Sequence, residues 1–252
     1  MYRFFAEKEQ VNTEEKKVFI SGDDYNHMKN VLRLKPGEEV SVMVPNERRE
    51  IRCGIDSYTD DAVILSIRFF KEADVELPCE IVLYQALPKA DKMELVIQKA
   101  VELGATRIVP VSTDRCVVKL DEARAKKKVE RWNAISAAAA KQSKRAFIPC
   151  VSPVCTFSEA IENSRCYDTK IMPYELCDPD SMDTTRELIS SVRPGAKVAV
   201  FIGPEGGFTD EETELAKDAG YTPVTLGRRI LRTETAGLVV LSWLVLALEG
   251  KQ

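Results

Sequence analysis

The sequence has a single histidine, His27, among 252 residues. A zinc site built on several imidazoles is therefore excluded, and so are most Ser-His-Asp or Cys-His arrangements, because His27 lies far along the chain from any candidate nucleophile. There is no C-x-x-C pair. The seven cysteines, Cys53, Cys79, Cys116, Cys150, Cys155, Cys166 and Cys177, are odd in number and lack metal-ligand spacing. The expectation is no metal site and reduced, mostly buried thiols. Both familiar phosphate motifs, G-x-G-x-x-G and G-x-x-x-x-G-K-[ST], are missing. Excess positive charge is missing too: 36 lysines and arginines against 40 aspartates and glutamates leave a net −4. Any contact with nucleic acid must come from local patches. No apolar run reaches the roughly 20 residues of a bilayer span, and the most apolar segment, 236–248, reads as a buried helix. The opening Met1-Tyr2-Arg3-Phe4-Phe5 is too short an apolar run for a signal peptide, so a cytoplasmic protein is expected.

What is present divides near residues 71–78. Before that point, short apolar runs at 18–20, 40–44, 51–55 and 63–70 alternate with turn signals, Lys35-Pro36-Gly37-Glu38 and Pro45-Asn46-Glu47. This predicts a small β-rich domain over 1–72, a barrel, with one helix at 25–34. From Cys79 the rhythm is that of an α/β fold with a parallel sheet over 73–252. Strands are predicted at 81–86, 107–111, 148–151, 170–172, 198–202 and 224–226. Helices are predicted at 91–103, 122–142 and 235–249. In the first of these, Met93, Val96, Ile97, Ala100 and Leu103 share a face, and Gly104 follows. A further helix begins at Thr209, where Thr209-Asp210-Glu211-Glu212 fits a capping box, and ends at Gly220.

Two segments carry the chemistry. Gly203-Pro204-Glu205-Gly206-Gly207-Phe208 follows one apolar run, and Leu226-Gly227-Arg228-Arg229-Ile230-Leu231-Arg232-Thr233-Glu234 follows another. Each reads as a loop between a strand and a helix, and a pair of such loops makes a crevice at the carboxyl ends of parallel strands. Glycines permit close backbone approach. Glu205 would repel phosphate, so the expected ligand is neutral or cationic near it. Glu234 could pair with Arg232 or Arg229. Both segments also have plain structural explanations: a tight turn for the first, an ion pair at a helix start for the second.

Six segments in chain order resemble the bacterial 16S ribosomal RNA (uracil-N3)-methyltransferase family of the SPOUT superfamily. Besides the two loops, they are His27-Met28-Lys29-Asn30-Val31-Leu32-Arg33, Gln85-Ala86-Leu87-Pro88-Lys89 with Lys92-Met93-Glu94, Gln98-Lys99-Ala100-Val101-Glu102-Leu103-Gly104, and Gln142-Ser143-Lys144-Arg145. The resemblance implies a PUA-like β-barrel for RNA binding over 1–72 and a SPOUT methyltransferase domain over 73–252. It also implies a deep trefoil knot, which general threading rules would reject. The implied methyl donor is S-adenosylmethionine, the implied substrate is 16S rRNA in the small ribosomal subunit, and a homodimer is implied.

On the same resemblance, Gly203, Glu205, Gly206, Gly207, Leu226, Gly227, Ile230, Leu231 and Thr233 cradle the cofactor, with Met172, Tyr174 and Glu175 lining the same pocket; Tyr174 also suits a core aromatic. Uracil N3 must lose a proton before it is methylated, which needs a base or a cation that stabilises the developing anion. Arg232 is the candidate cation, and Glu234 the candidate base or the group that orients Arg232. Candidate RNA contacts are Arg33, Lys35, Arg48, Arg49, Arg52, Lys89, Lys144 and Arg145, each of which would serve equally as a solvated surface charge. A basic cluster, Lys126-Lys127-Lys128 with Arg131, lies on the long helix. His27 reads as a packing residue or an RNA contact. Three other readings stand beside this one: a SPOUT enzyme acting on transfer RNA or another ribosomal position, a non-catalytic RNA-binding assembly factor, and a nucleotide-binding α/β enzyme with an unusual phosphate loop.

Overall fold

The computed structural model describes residues 1–44, 49–72 and 75–250. The chain forms two compact units: Met1–Glu76 with Ala140–Ile148, and Leu77–Ala139 with Pro149–Gln252. The return of 140–148 to the first unit is marked by no shift in composition.

The first unit is a six-stranded sheet of β1 (Arg3–Phe5), β2 (Val11–Asn12), β3 (Lys17–Ser21), β4 (Glu39–Met43), β5 (Arg49–Tyr58) and β6 (Ala62–Glu72). Its order is β1-β4-β5-β6-β3-β2, antiparallel except where β1 runs parallel to β4. The expected barrel is thus seen as a sheet with β1 and β2 as its end strands. Alternation drives it: Val63, Leu65 and Ile67 of β6 turn into one core with Val18, Ile20, Val40, Val42 and Ile51. The helix expected over 25–34 is two pieces. Helix α1 (Gly22–Asn26) runs into a π-helical turn, His27–Val31, which buries Met28. Arg33 then takes a left-handed φ of 55° and breaks the helical path ahead of Pro36.

The second unit is a seven-stranded sheet in which every pairing is parallel. Its strands are β7 (Glu80–Ala86), β8 (Arg107–Ser112), β9 (Cys150–Val151), β10 (Cys155–Thr156), β11 (Thr169–Pro173), β12 (Lys197–Ile202) and β13 (Thr222–Val224). The order is β10-β8-β7-β12-β11-β13, with β9 also on β8. Helices α2 (Lys92–Glu102), α3 (Glu122–Gln142), α4 (Phe157–Asn163), α5 (Met182–Ser191), α6 (Asp210–Asp218) and α7 (Thr233–Leu248) complete it. Both faces of the central strands are covered, which is why β7 and β12 read as unbroken apolar runs. On one face Phe201 stacks on Phe157, with ring centroids 5.1 Å apart, and meets Phe208 edge-on at 5.3 Å. On the other face Gly237 of α7 lets the helix close on Leu83, Gln85 and Ile202; a Cβ there would already stand 3.5 Å from Ile202.

Three details depart from expectation. The last strand ends at Val224 rather than spanning 224–226, so Thr225 and Leu226 belong to the loop, and α7 begins at Thr233 rather than 235. Helices α4 and α5 add to the expected set. Of the seven free cysteines, Cys53, Cys79 and Cys116 are buried, but Cys150 and Cys166 are exposed. The capping box of α6 is formed: Thr209 Oγ1 accepts from the Glu212 N–H at 3.1 Å, and the Glu212 carboxylate accepts from the Thr209 N–H at 2.9 Å. Among the described residues no helix is long and apolar enough to cross a membrane.

Candidate functional site

Strands β12, β11 and β13 are neighbours and parallel, so their carboxyl ends open on one edge of the sheet. The loops that leave them enclose a cavity of about 500 Å³. Its position is where open α/β sheets bind ligands, and its size suits a small molecule.

The loop after β12 is held from several sides. Thr233 Oγ1, at the start of α7, donates to the Gly203 carbonyl at 2.6 Å and accepts from Gln85 Nε2 at 2.9 Å. Gln85 is fully buried at the end of β7, so one relay joins β7, β12 and α7. Arg115 Nη1 donates to the Gly206 carbonyl at 3.0 Å. Gly207 has φ +67°, and a Cβ at that position would stand 2.1 Å from Glu175 Oε1. The left-handed φ favours glycine, and a side chain here would have to push the exposed Glu175 carboxylate aside. Glu205 turns to α2: its Oε1 lies 3.0 Å from Lys92 Nζ and accepts from the Lys89 N–H at 3.1 Å. Burial pushes the Glu205 carboxyl up, but the hydrogen bonds from Lys92 and from the backbone outweigh it and hold the group below its ordinary range.

The loop of residues 225–232 forms the facing wall. The Thr225 carbonyl accepts from Thr185 Oγ1 of α5 at 3.1 Å, and Thr225 Oγ1 accepts from the Gly227 N–H at 3.2 Å. Arg228 pairs with Asp180 at 2.6 Å. Ile230 is 90% exposed, and Arg232 is the exposed N-cap residue of α7.

The chain is similar over this whole region to known proteins. Residues 75–245 match the family described as an RNA methyltransferase domain, and residues 20–55 match an RNA methyltransferase PUA domain. Ribosomal RNA small subunit methyltransferase E of Bacillus subtilis (strain 168) is 35% identical over 244 residues, covering 96% of this chain and 95% of that protein. Its namesake in Mesomycoplasma hyopneumoniae (strain 232) is 30% identical over 96% of this chain and 98% of its own length. The chain belongs to this methyltransferase family. A crystal structure of a ribosomal RNA small subunit methyltransferase E from Neisseria gonorrhoeae, bound to S-adenosyl methionine, matches with a TM-score of 0.81 at 31% identity, covering 98% of this chain and 97% of that one.

Of the residues expected at the methyltransferase's cofactor pocket, Tyr174, Glu175, Gly203, Glu205, Gly206, Gly207, Leu226, Gly227, Ile230, Leu231 and Thr233 line the cavity, and Arg232 joins them. Met172 does not. It is fully buried in the cluster around Phe201, because the strand pleat turns it into the core one residue before the wall begins. Glu234 is not on the wall either. Its Oε2 lies 3.2 Å from Lys92 Nζ, and it pairs with neither Arg232 nor Arg229. Sequence reasoning gave Lys92, Gln85 and Arg115 no role. Gln85 and Lys92 both lie in a segment that resembles the family, and Gln85 had a local signal besides, an amide in an otherwise apolar buried strand.

Of the candidate RNA contacts, Arg33, Lys35, Arg49, Lys89 and Lys144 are exposed. Arg48 lies outside the described residues. Arg52 pairs with Glu50 at 2.7 Å. Arg145 is 3% exposed, with Nε donating to Glu76 Oε2 at 2.8 Å and its guanidinium 4.9 Å from the Phe147 ring. That arrangement is a structural ion pair rather than a surface charge open to RNA. His27 meets Phe4 edge-on at 6.4 Å. Among the described residues no group of three or more His, Cys, Asp or Glu is placed to hold a metal ion.

Proposed function

We infer that this protein transfers a methyl group from S-adenosylmethionine to N3 of a uridine in 16S ribosomal RNA of the small subunit. The observation that carries the reading is the cavity at the ends of β11, β12 and β13, with Gly207 open where any side chain would collide and Arg232 on the wall. The residues fit such a donor. Gly203, Gly206 and Gly227 line the space, and Glu175, which makes no ion pair among the described residues, suits a cationic sulfonium. Glu205 was the carboxylate expected in that place, but Lys92 already balances it.

When bound, S-adenosylmethionine supplies the electrophilic methyl group. The chain's residues do the rest. The glycine loop and residues 225–232 hold the donor and shield it from water. The Arg232 guanidinium stabilises the negative charge that develops on the uracil as N3 gives up its proton. Glu234, two residues on, is the candidate acceptor of that proton; in the ligand-free protein its Oε2 lies 3.2 Å from Lys92 Nζ. Alignment of the two reactants is the largest contribution, because effective molarities are worth about 7–11 kcal/mol.

The remaining features of the reading follow from the family. Arg33, Lys35, Arg48, Arg49, Lys89 and Lys144 contact RNA phosphates. The C-terminal domain carries a deep trefoil knot, with the cofactor held in its loops. The protein works in the cytoplasm as a homodimer through α7.

The test is incubation with labelled methyl donor and small subunits from cells lacking the enzyme, followed by mapping of the modified nucleotide. Label on a uracil N3 is expected, and label elsewhere or none overturns the reading. Arg232→Ala should abolish transfer while cofactor affinity, measured by calorimetry, stays within a few-fold. Equal loss of binding would make Arg232 a structural residue.

A further inference from the structure

Lys92 is the first residue of α2 and belongs to neither loop of the cavity. Its ammonium nevertheless joins one of them to a helix: Nζ lies 3.0 Å from Glu205 Oε1, in the loop after β12, and 3.2 Å from Glu234 Oε2, in the first turn of α7. The three side chains are 26%, 24% and 16% exposed, so solvent screens them only in part. Two carboxylates within reach of one ammonium would repel each other without it. Glu205 is flanked by the glycines that close the cavity, and Glu234 sits two residues after Arg232.

We propose that Lys92 is a positioning residue that ties the glycine loop of the cofactor cavity to the first turn of α7 through Glu205 and Glu234. The inference rests on the cofactor reading above, but the clamp itself is a property of the ligand-free protein. The hydrogen bonds it donates, first to Glu205 and then to Glu234, push the Lys92 ammonium up from its ordinary value, so the clamp stays charged at neutral pH. The Lys89 N–H on Glu205 adds a second hold from the same segment. Lys92 thereby fixes the start of α7, and with it the direction in which Arg232 leaves the helix.

Hydrogen exchange on the ligand-free full chain tests the clamp directly. The Gly207 N–H donates to the Pro204 carbonyl at 3.0 Å, and the Thr235 N–H to the Arg232 carbonyl at 2.8 Å, so the glycine loop and the first turn of α7 each carry a hydrogen-bonded amide near the carboxylate that Lys92 pairs. Lys92→Met should speed exchange at both amides by about five- to tenfold, leaving amides of β7 unchanged. Lys92→Arg should restore protection, and Glu205→Gln with Glu234→Gln in the Lys92→Met background should recover part of it by removing the repulsion. Unchanged exchange in Lys92→Met, or Lys92→Arg behaving as Lys92→Met, overturns the proposal. A parallel titration with S-adenosylmethionine separates the two readings. Wild-type protein that fails to bind it sinks the cofactor reading, and the exchange result still decides the clamp. If wild type binds, Lys92→Met should raise Kd by a similar factor.

Discussion

Gly207 and Gly227 both hold left-handed backbone, yet they do different work. Gly207 has φ +67° and faces Glu175 so closely that a Cβ would stand 2.1 Å from its Oε1; Gly227 has φ +100° and nothing within 4 Å of the same position. The left-handed conformation alone costs an alanine roughly 1–2 kcal/mol. Gly227→Ala should therefore lose about that much stability, read from a denaturant midpoint, and keep cofactor affinity within a few-fold. Gly207→Ala must in addition displace Glu175 or reshape the loop, so it should weaken S-adenosylmethionine binding by far more than Gly227→Ala at similar stability. Equal affinities in the two variants would show that Glu175 does not stand against the loop as described. Arg232 stands at the opposite pole from these glycines: exposed, and on the cavity wall.

Among the strands, β1 is three residues long and sits at the end of its sheet, so pairing alone holds it weakly. Glu50 of β5 supplies the missing hold. Its carboxylate accepts from Ser41 Oγ of β4 at 2.8 Å, lies 3.0 Å from Arg3 of β1 and 2.7 Å from Arg52, and is 5% exposed. Burial raises the Glu50 carboxyl, but Ser41, Arg3, Arg52 and Lys71 together bring it below the ordinary value of 4.5. A carboxyl lowered on folding stabilises above its unfolded value, and that stability drains away as pH falls through the lower folded one. Glu50→Gln should thus cost about 1.5–3 kcal/mol at pH 7, with the gap from wild type closing below pH 4; a gap independent of pH would assign the loss to packing. Elements were legible where their pattern was local. The apolar runs of β7 and β12 and the capping box of α6 stand as read, and so does the face of α2 except at its end, where Val101 is buried and Leu103 is the half-buried C-cap. Helix α4 carries an equally good box, Thr156 with Glu159, but only seven residues follow it, too few for a periodic signal. The split between α1 and the π-helical turn is set by Met28 reaching the core, a tertiary demand. The site was legible for the glycine loops. It was not legible for Lys92, whose partner Glu205 lies 113 residues away, nor for Met172, which a one-residue change of face moves from wall to core.

At the scale of the whole molecule, α7 carries more apolar surface than its own fold uses. Gly237, Val240, Leu241, Leu244 and Leu248 are buried against the second unit, as a one-sided helix requires. The other side is apolar as well: Val239, Trp243 and Leu246 stand at i, i+4 and i+7 on one stripe, and Leu246 is 82% exposed. On α2, which packs beside α7, Leu95 is 45% exposed. A continuous apolar stripe on a rigid helix is covered in a working protein, and a second copy related by two-fold symmetry would lay the same stripe against itself. Sedimentation at micromolar concentration should therefore give a dimer of a 28.2 kDa chain. Leu246→Glu places a charge in the middle of the stripe without touching the buried side, so it should shift the protein to monomer while thermal unfolding at matched concentration still reports a folded second unit. A wild-type monomer at that concentration, or a Leu246→Glu protein as dimeric as wild type, would assign the stripe to something other than self-association.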